Sequence, residues 1–124
     1  MSQGVGIVNV YVRDQTEALT FYESIGFVKH TDVQNGPFRW LTVQWPDQPS
    51  FQLGLAVPGP PLHDEATGAT LAELVAKGAM PGLVLHVHDC RARYERLRAA
   101  GIEFTQEPID RFGNIDAGFR EHPA

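Results

Sequence analysis

"VGIVNVYVRDQTEALTFYESIGF", residues 5–27, decides the fold, because the chain states its pattern a second time. Laid over "PGLVLHVHDCRARYERLRAAGI", residues 81–102, at a constant offset of 75 residues, it matches without a gap. Val8, Val10 and Val12 fall on Leu83, Leu85 and Val87, and Asp14 falls on Asp89. Leu19 meets Tyr94, Tyr22 meets Leu97, Gly26 meets Gly101 and Phe27 meets Ile102. Eight positions in register define an internal repeat. Each copy reads as strand, helix, strand. Alternating apolar residues give the buried face of a strand, and the aspartates suit a helix N-cap, where a carboxylate accepts from orphan backbone N–H groups. The glycines stand where a helix end needs a left-handed residue.

Three further strands follow the first copy. "FVKHTDV" leads to Asn35-Gly36, a strong hairpin signal. "FRWLTVQW" ends at Pro46, and "FQLGLAV" runs into the breaker "PGPP" at residues 58–61. "ATLAELVAKGAMPG", residues 69–82, reads as a short helix in a linker, closed by Gly78 and Pro81. The second copy then gives β-α-β, with "NIDAGFRE" as one more strand.

The 124 residues, 43% of them hydrophobic, suit one globular domain with an ordinary core. A net charge of -5 with no Lys/Arg cluster gives no footprint for nucleic acid or an anionic membrane. The single cysteine, Cys90, rules out an internal disulfide and makes a reducing cytoplasm the expected location. The first residues lack a signal-peptide pattern, and no apolar run is long enough to cross a bilayer.

The paired β-α-β-β-β modules, together with "YVRD…A18L19…F21Y22…G26F27" and "G113…F119R120E121…P123", resemble the vicinal oxygen chelate superfamily, the glyoxalase, bleomycin-resistance and extradiol-dioxygenase group. The resemblance covers both modules. It implies an α+β fold of two such modules, each curling a sheet around a cavity with helices on the convex face. It also implies one domain over residues 1–124, with module one at 4–58, a linker at 59–80 and module two at 81–124. The second module lacks its last strand within this sequence. Either a longer gene product or a partner in a strand-exchanged homodimer would supply it, and dimerisation is expected in both cases.

Strand parity assigns faces independently of that resemblance. Val8, Val10, Val12, Leu41, Val43, Phe51, Leu53, Leu55, Leu83, Leu85 and Val87 form an apolar helix side. The opposite parity, facing the cavity, mixes Asn9, Tyr11, Trp40, Gln52 and His86 with Ile7, Thr42, Gln44, Gly54, Gly82 and Val84. Aromatic, amide and imidazole groups together are what a small-molecule pocket uses.

The resemblance implies metal ligands on the first and last strands of each module, the first of them seven residues before the helix-capping aspartate. Those positions are Ile7 and Gly82, neither of which binds a metal. The last-strand position of module one maps to Gln52, a neutral amide, and that of module two would follow "EHPA". The inherited metal site is therefore expected to be lost. His86 and His88, one residue apart on an expected strand, would share a face. Two imidazoles fall short of the three protein ligands that zinc or iron needs, and no spacing singles out Asp116 or Glu121 as a third. The pair reads as one pocket residue and one surface residue. His86 then serves as a hydrogen-bond partner or general base. Cys90, at a helix start but beside Asp89 and without a base, reads as packing.

These readings lead to a metal-independent small-molecule-binding protein of the bleomycin-resistance type, without cofactor or catalytic residues. Asn9, Tyr11, Trp40, Gln52 and His86 would contact a small organic ligand. The alternative is a metal-dependent lyase, isomerase or dioxygenase with a relocated metal site. Whether any turnover accompanies binding is left open by the residues. A dimeric interaction module with no ligand is disfavoured by Trp40, Tyr11, Ile7 and Val84 at cavity positions.

Overall fold

The computed structural model of the chain describes residues 4–119. It contains two compact units, Met1–Pro81 and Gly82–Ala124. The first holds β1 (Ile7–Tyr11), α1 (Gln15–Ser24), β2 (Val28–Asn35), β3 (Phe38–Gln44), β4 (Gln52–Ala56) and α2 (Glu65–Ala76). Its strands form one sheet in the order β1-β4-β3-β2, with β1 parallel to β4 and the other pairs antiparallel. The second unit holds α3 (Cys90–Ala99) and a hairpin of β5 (Phe104–Arg111) and β6 (Asn114–Phe119).

The repeat survives at atomic detail around α1 and α3. Asp14 Oδ1 accepts from the backbone N–H of Glu17 at 2.9 Å, and Asp89 Oδ1 accepts from that of Ala92 at 3.0 Å. Each helix ends in a glycine of positive φ, Gly26 at 121° and Gly101 at 99°. Behind each glycine the chain folds back onto its helix: Phe27 N–H donates to Tyr22 O and Ile102 N–H to Leu97 O, both at 3.0 Å. A side chain at such a φ is strained, so both ends favour glycine.

Helix α1 packs on β2, β3 and β4, and the apolar parity of the strands lies beneath it. Leu41, Val43, Leu53 and Leu55 are all buried there, with Val12, Ala18, Tyr22 and Ile25. Burying each large aliphatic side chain contributes about 1.5–3 kcal/mol. Val8 has the same parity, but it lies on β1, away from the strands that α1 covers, and remains 45% exposed. Gln15 fastens the helix to the sheet, its Nε2 donating to Arg39 O and Leu55 O at 2.9 Å each. The charges of β2 and β3 lie on this same face. Arg39 donates through Nε and Nη2 to both carboxylate oxygens of Asp32 at 2.9 Å, and through Nη1 to Thr16 Oγ1. The hydrogen-bonded guanidinium holds the Asp32 carboxyl below its usual range.

Three expectations change. The first hairpin turns at Gly36-Pro37, with Asn35 still paired to Phe38. Gly36 takes φ 61°, the positive angle that the first central residue of a two-residue hairpin loop requires. Helix α2 starts at Glu65 instead of Ala69, because Asp64 caps it by accepting from Thr67 N–H at 2.7 Å. That bond also lowers the Asp64 carboxyl from its ordinary value. Finally, residues 83–87 join no ladder among the described residues. In the first unit β1 pairs only with β4. Alternation alone does not make a strand: among the described residues no segment pairs with 83–87, and Val84 is 82% exposed.

The second unit is built on aromatic contacts. Tyr94 of α3 meets Phe104 of β5 edge to face at 4.6 Å between ring centroids, and Phe104 meets Phe119 of β6 at 5.5 Å. The β5–β6 register shifts between Gln106 and Ile109, where Pro108 has no N–H to give a ladder.

Candidate functional site

The face of the first sheet opposite α1 carries four of the five residues expected to bind a ligand. Register sets them in rows. Ile7 pairs with Gln52, Asn9 with Gly54 and Tyr11 with Ala56 across β1 and β4, and Thr42 of β3 pairs with Gly54. One register step further along β3 brings Trp40 level with Ala56. Asn9, Tyr11, Trp40 and Gln52 therefore share one face, above a floor of Gly54, Ala56 and Thr42. The floor is buried, while Tyr11, Trp40 and Gln52 are half-buried and Asn9 is exposed. Val28, Thr31, Val33 and Gln44 extend this face across β2 and β3. None of the residues so placed is charged. Lys29, Asp32 and Arg39 have the opposite parity.

Local packing explains two of these choices. A Cβ on Gly54 would land on Oδ1 of Asn9 and stand 3.2 Å from its Cγ, so the missing side chain is the space in which the Asn9 amide lies. Thr42, fully buried, donates its hydroxyl to Gln52 Oε1 at 2.7 Å. That bond orients the Gln52 amide and leaves its NH₂ as the group free to serve a ligand.

His63 was not legible as a site residue. It lies in the loop between β4 and α2, 52 residues from Tyr11, and its Nε2 is 3.0 Å from the Tyr11 hydroxyl. The rings meet edge to face at 5.4 Å. A closed pair of bonds ties His63 to Gly59: its N–H donates to Gly59 O at 2.9 Å, and Gly59 N–H donates to its Nδ1 at 3.2 Å. Gly59 has φ 125°, and its backbone lies against Gly68 of α2. A Cβ on Gly68 would stand 2.6 Å from Gly59 Cα and 2.9 Å from Gly59 N. The only sequence signal was a histidine after the "PGPP" breaker, next to a capping aspartate.

This contact yields a prediction. Gly68→Ala should gain about 1 kcal/mol in helix propensity but lose about 1–3 kcal/mol to a clash with backbone that cannot rotate away. The expected result is net destabilisation, read as a lower denaturation midpoint, with disturbance of the His63 and Tyr11 ring signals by NMR. A variant more stable than the parent would show that α2 does not rest on Gly59.

His86 belongs to the second unit, exposed, in the segment without a ladder. The strand parity that placed it beside His88 loses its basis there. Cys90 is a free, half-buried cysteine at the start of α3. Among the described residues no group of three His, Cys, Asp or Glu side chains is placed to hold a metal ion.

The family profile described as the Glyoxalase/Bleomycin resistance protein/Dioxygenase superfamily matches residues 4–121. The chain belongs to that superfamily. Among solved structures, UcmS2 is 44% identical to this superfamily member, with a TM-score of 0.87 over 97% of this chain and 91% of its own. TnmS3, an antibiotic binding protein from Streptomyces sp. CB03234, is 26% identical, with a TM-score of 0.72 over 95% of this chain and 86% of its own. The uncharacterized protein YurT of Bacillus subtilis (strain 168) is 35% identical over 103 residues, 82% of this chain and 78% of YurT. These matches establish the α+β glyoxalase/bleomycin-resistance fold, and no helix of the described residues is long and apolar enough to cross a membrane.

Membership allows the metal positions expected from the resemblance to be tested against side-chain chemistry. In the first unit those positions, Ile7 and Gln52, are direct register partners across β1 and β4. Ile7 has no donor atom, and the Gln52 oxygen already accepts from Thr42. The pair does not fit a metal ion. The fourth expected position lies outside the described residues.

Proposed function

We propose that this protein binds a small organic molecule on the uncharged face of its first sheet, without a metal and without chemical turnover. The observation that carries the reading is the alignment of Asn9, Tyr11, Trp40 and Gln52 on one face, in rows set by the β1–β4 and β3–β4 register. Trp40 and Tyr11 supply aromatic surface, and Asn9 and Gln52 supply amides, a mixture suited to a neutral ligand with a few polar groups. An exposed cationic ligand would find no counter-charge there. The antibiotic binding of TnmS3 makes an antibiotic a natural class to screen first. His86 is a further candidate for ligand contact, and the protein would work in the cytoplasm as a homodimer with no membrane or nucleic-acid partner.

Metal content tests the reading directly. Untagged protein purified without chelator should contain no stoichiometric transition metal, and EDTA should leave its melting temperature unchanged. Near-stoichiometric zinc, nickel, manganese or iron, lost together with stability, would sink the binder and favour a metal-dependent lyase, isomerase or dioxygenase.

A further inference from the structure

We infer that His63 is a positioning residue that turns the Tyr11 phenol into a hydrogen-bond donor on the binding face, so that the ligand presents an uncharged oxygen acceptor, such as a ketone, next to an aromatic plane. The inference rests on the binding reading above and narrows its ligand class.

The geometry at Nδ1 carries the argument. A backbone N–H can only donate, so the Gly59 N–H bond at 3.2 Å requires a lone pair on His63 Nδ1. In the neutral imidazole the proton then sits on Nε2. Nε2–H must donate across the 3.0 Å contact, and the Tyr11 oxygen must accept. The phenolic proton is thereby left without a partner among the described residues, and it is free to donate to a ligand. With the opposite tautomer, Tyr11 would donate to His63 and offer a ligand only its lone pairs. The choice is made by Gly59, whose position against Gly68 holds the loop in place.

The neighbouring groups point the same way. Gln52 has its oxygen committed to Thr42 and its NH₂ free. Trp40 has an indole N–H, a donor without acceptor capacity. No buried side-chain nitrogen or oxygen among the described residues lacks a partner, so the Gln52 NH₂ and the Trp40 indole N–H are at accessible positions, and Tyr11 is half-buried beside them. Three donors beside an aromatic ring, with no charge on the face, select a neutral acceptor over a cation.

Two measurements test this. Nitrogen-15 NMR of the His63 ring in the full chain, above the histidine titration range, should show Nε2 protonated and Nδ1 bare. A protonated Nδ1 overturns the inference whatever the ligand proves to be. The second uses 9-fluorenone and fluorene, flat probes of one carbon frame that differ by a carbonyl oxygen, titrated by tryptophan fluorescence. Fluorenone should bind about five- to tenfold more tightly, the size of one neutral hydrogen bond, and Tyr11→Phe should abolish the difference. His63→Asn, which keeps an acceptor for Gly59 but cannot reach Tyr11, should reduce it, while His63→Gln, with an N–H near the Nε2 position, should restore part of it. Melting temperatures of all variants identify any that fail to fold. Equal affinity for the two probes overturns the acceptor inference but leaves binding on this face intact. If neither probe binds and the Asn9, Tyr11 and Trp40 signals do not move, both readings fall.

Discussion

Leu41→Ala should destabilise the protein by about 2–5 kcal/mol, the range for removing a fully enclosed leucine and leaving a partly unfilled cavity. Leu41 is only 1% exposed and stands between the sheet and α1, among Val43, Leu53 and Leu55. Small domains have a total stability of about 5–15 kcal/mol, so the variant should have a clearly lowered urea midpoint and could be largely unfolded at physiological temperature. The accompanying cost to binding would follow from loss of fold and should return in stabilising osmolyte. A change below about 1 kcal/mol would mean that α1 does not cover this part of the sheet.

Trp40→Ala, one residue away, should do the opposite. Its side chain points to the other face, half-buried beside the Tyr11–Ala56 row, where truncation removes a ligand-contact surface and not a core element. Binding of 9-fluorenone should weaken by about 10- to 100-fold, the scale of removing an aromatic anchor from an interface, with a circular dichroism spectrum like that of the parent. If the variant unfolds instead, Trp40 is core and the face assignment is wrong. The pair of neighbouring substitutions is more informative than either alone, since period-2 alternation is the one feature that separates them.

The sequence was a good guide wherever the controlling interaction is local. The caps Asp14 and Asp89 and the terminating glycines Gly26 and Gly101 act within a few residues, so a single pass along the chain finds them. Face parity follows from the pleat, which is why Leu41, Val43, Leu53 and Leu55 are buried as expected and why Asn9, Tyr11, Trp40 and Gln52 share a face. The start of α2 at Glu65 is harder to read from the sequence, because Gly68 discourages a helix by propensity. In the folded chain that cost is offset, since only a residue without a side chain lets α2 rest on Gly59.

By itself, then, the sequence determined the two helices of the repeat, their ends and the side of the first sheet each residue occupies, because these depend on neighbours in the chain. Tertiary structure decided the rest. It left residues 83–87 without a ladder among the described residues, since a strand exists only when a second segment pairs with it and alternation cannot supply that partner. It brought His63 to Tyr11 and Thr42 to Gln52, contacts set by where the β4–α2 loop and the β3–β4 register place the backbone. Those two contacts fix which polar atoms of the face are spent inside the protein and which remain for a ligand.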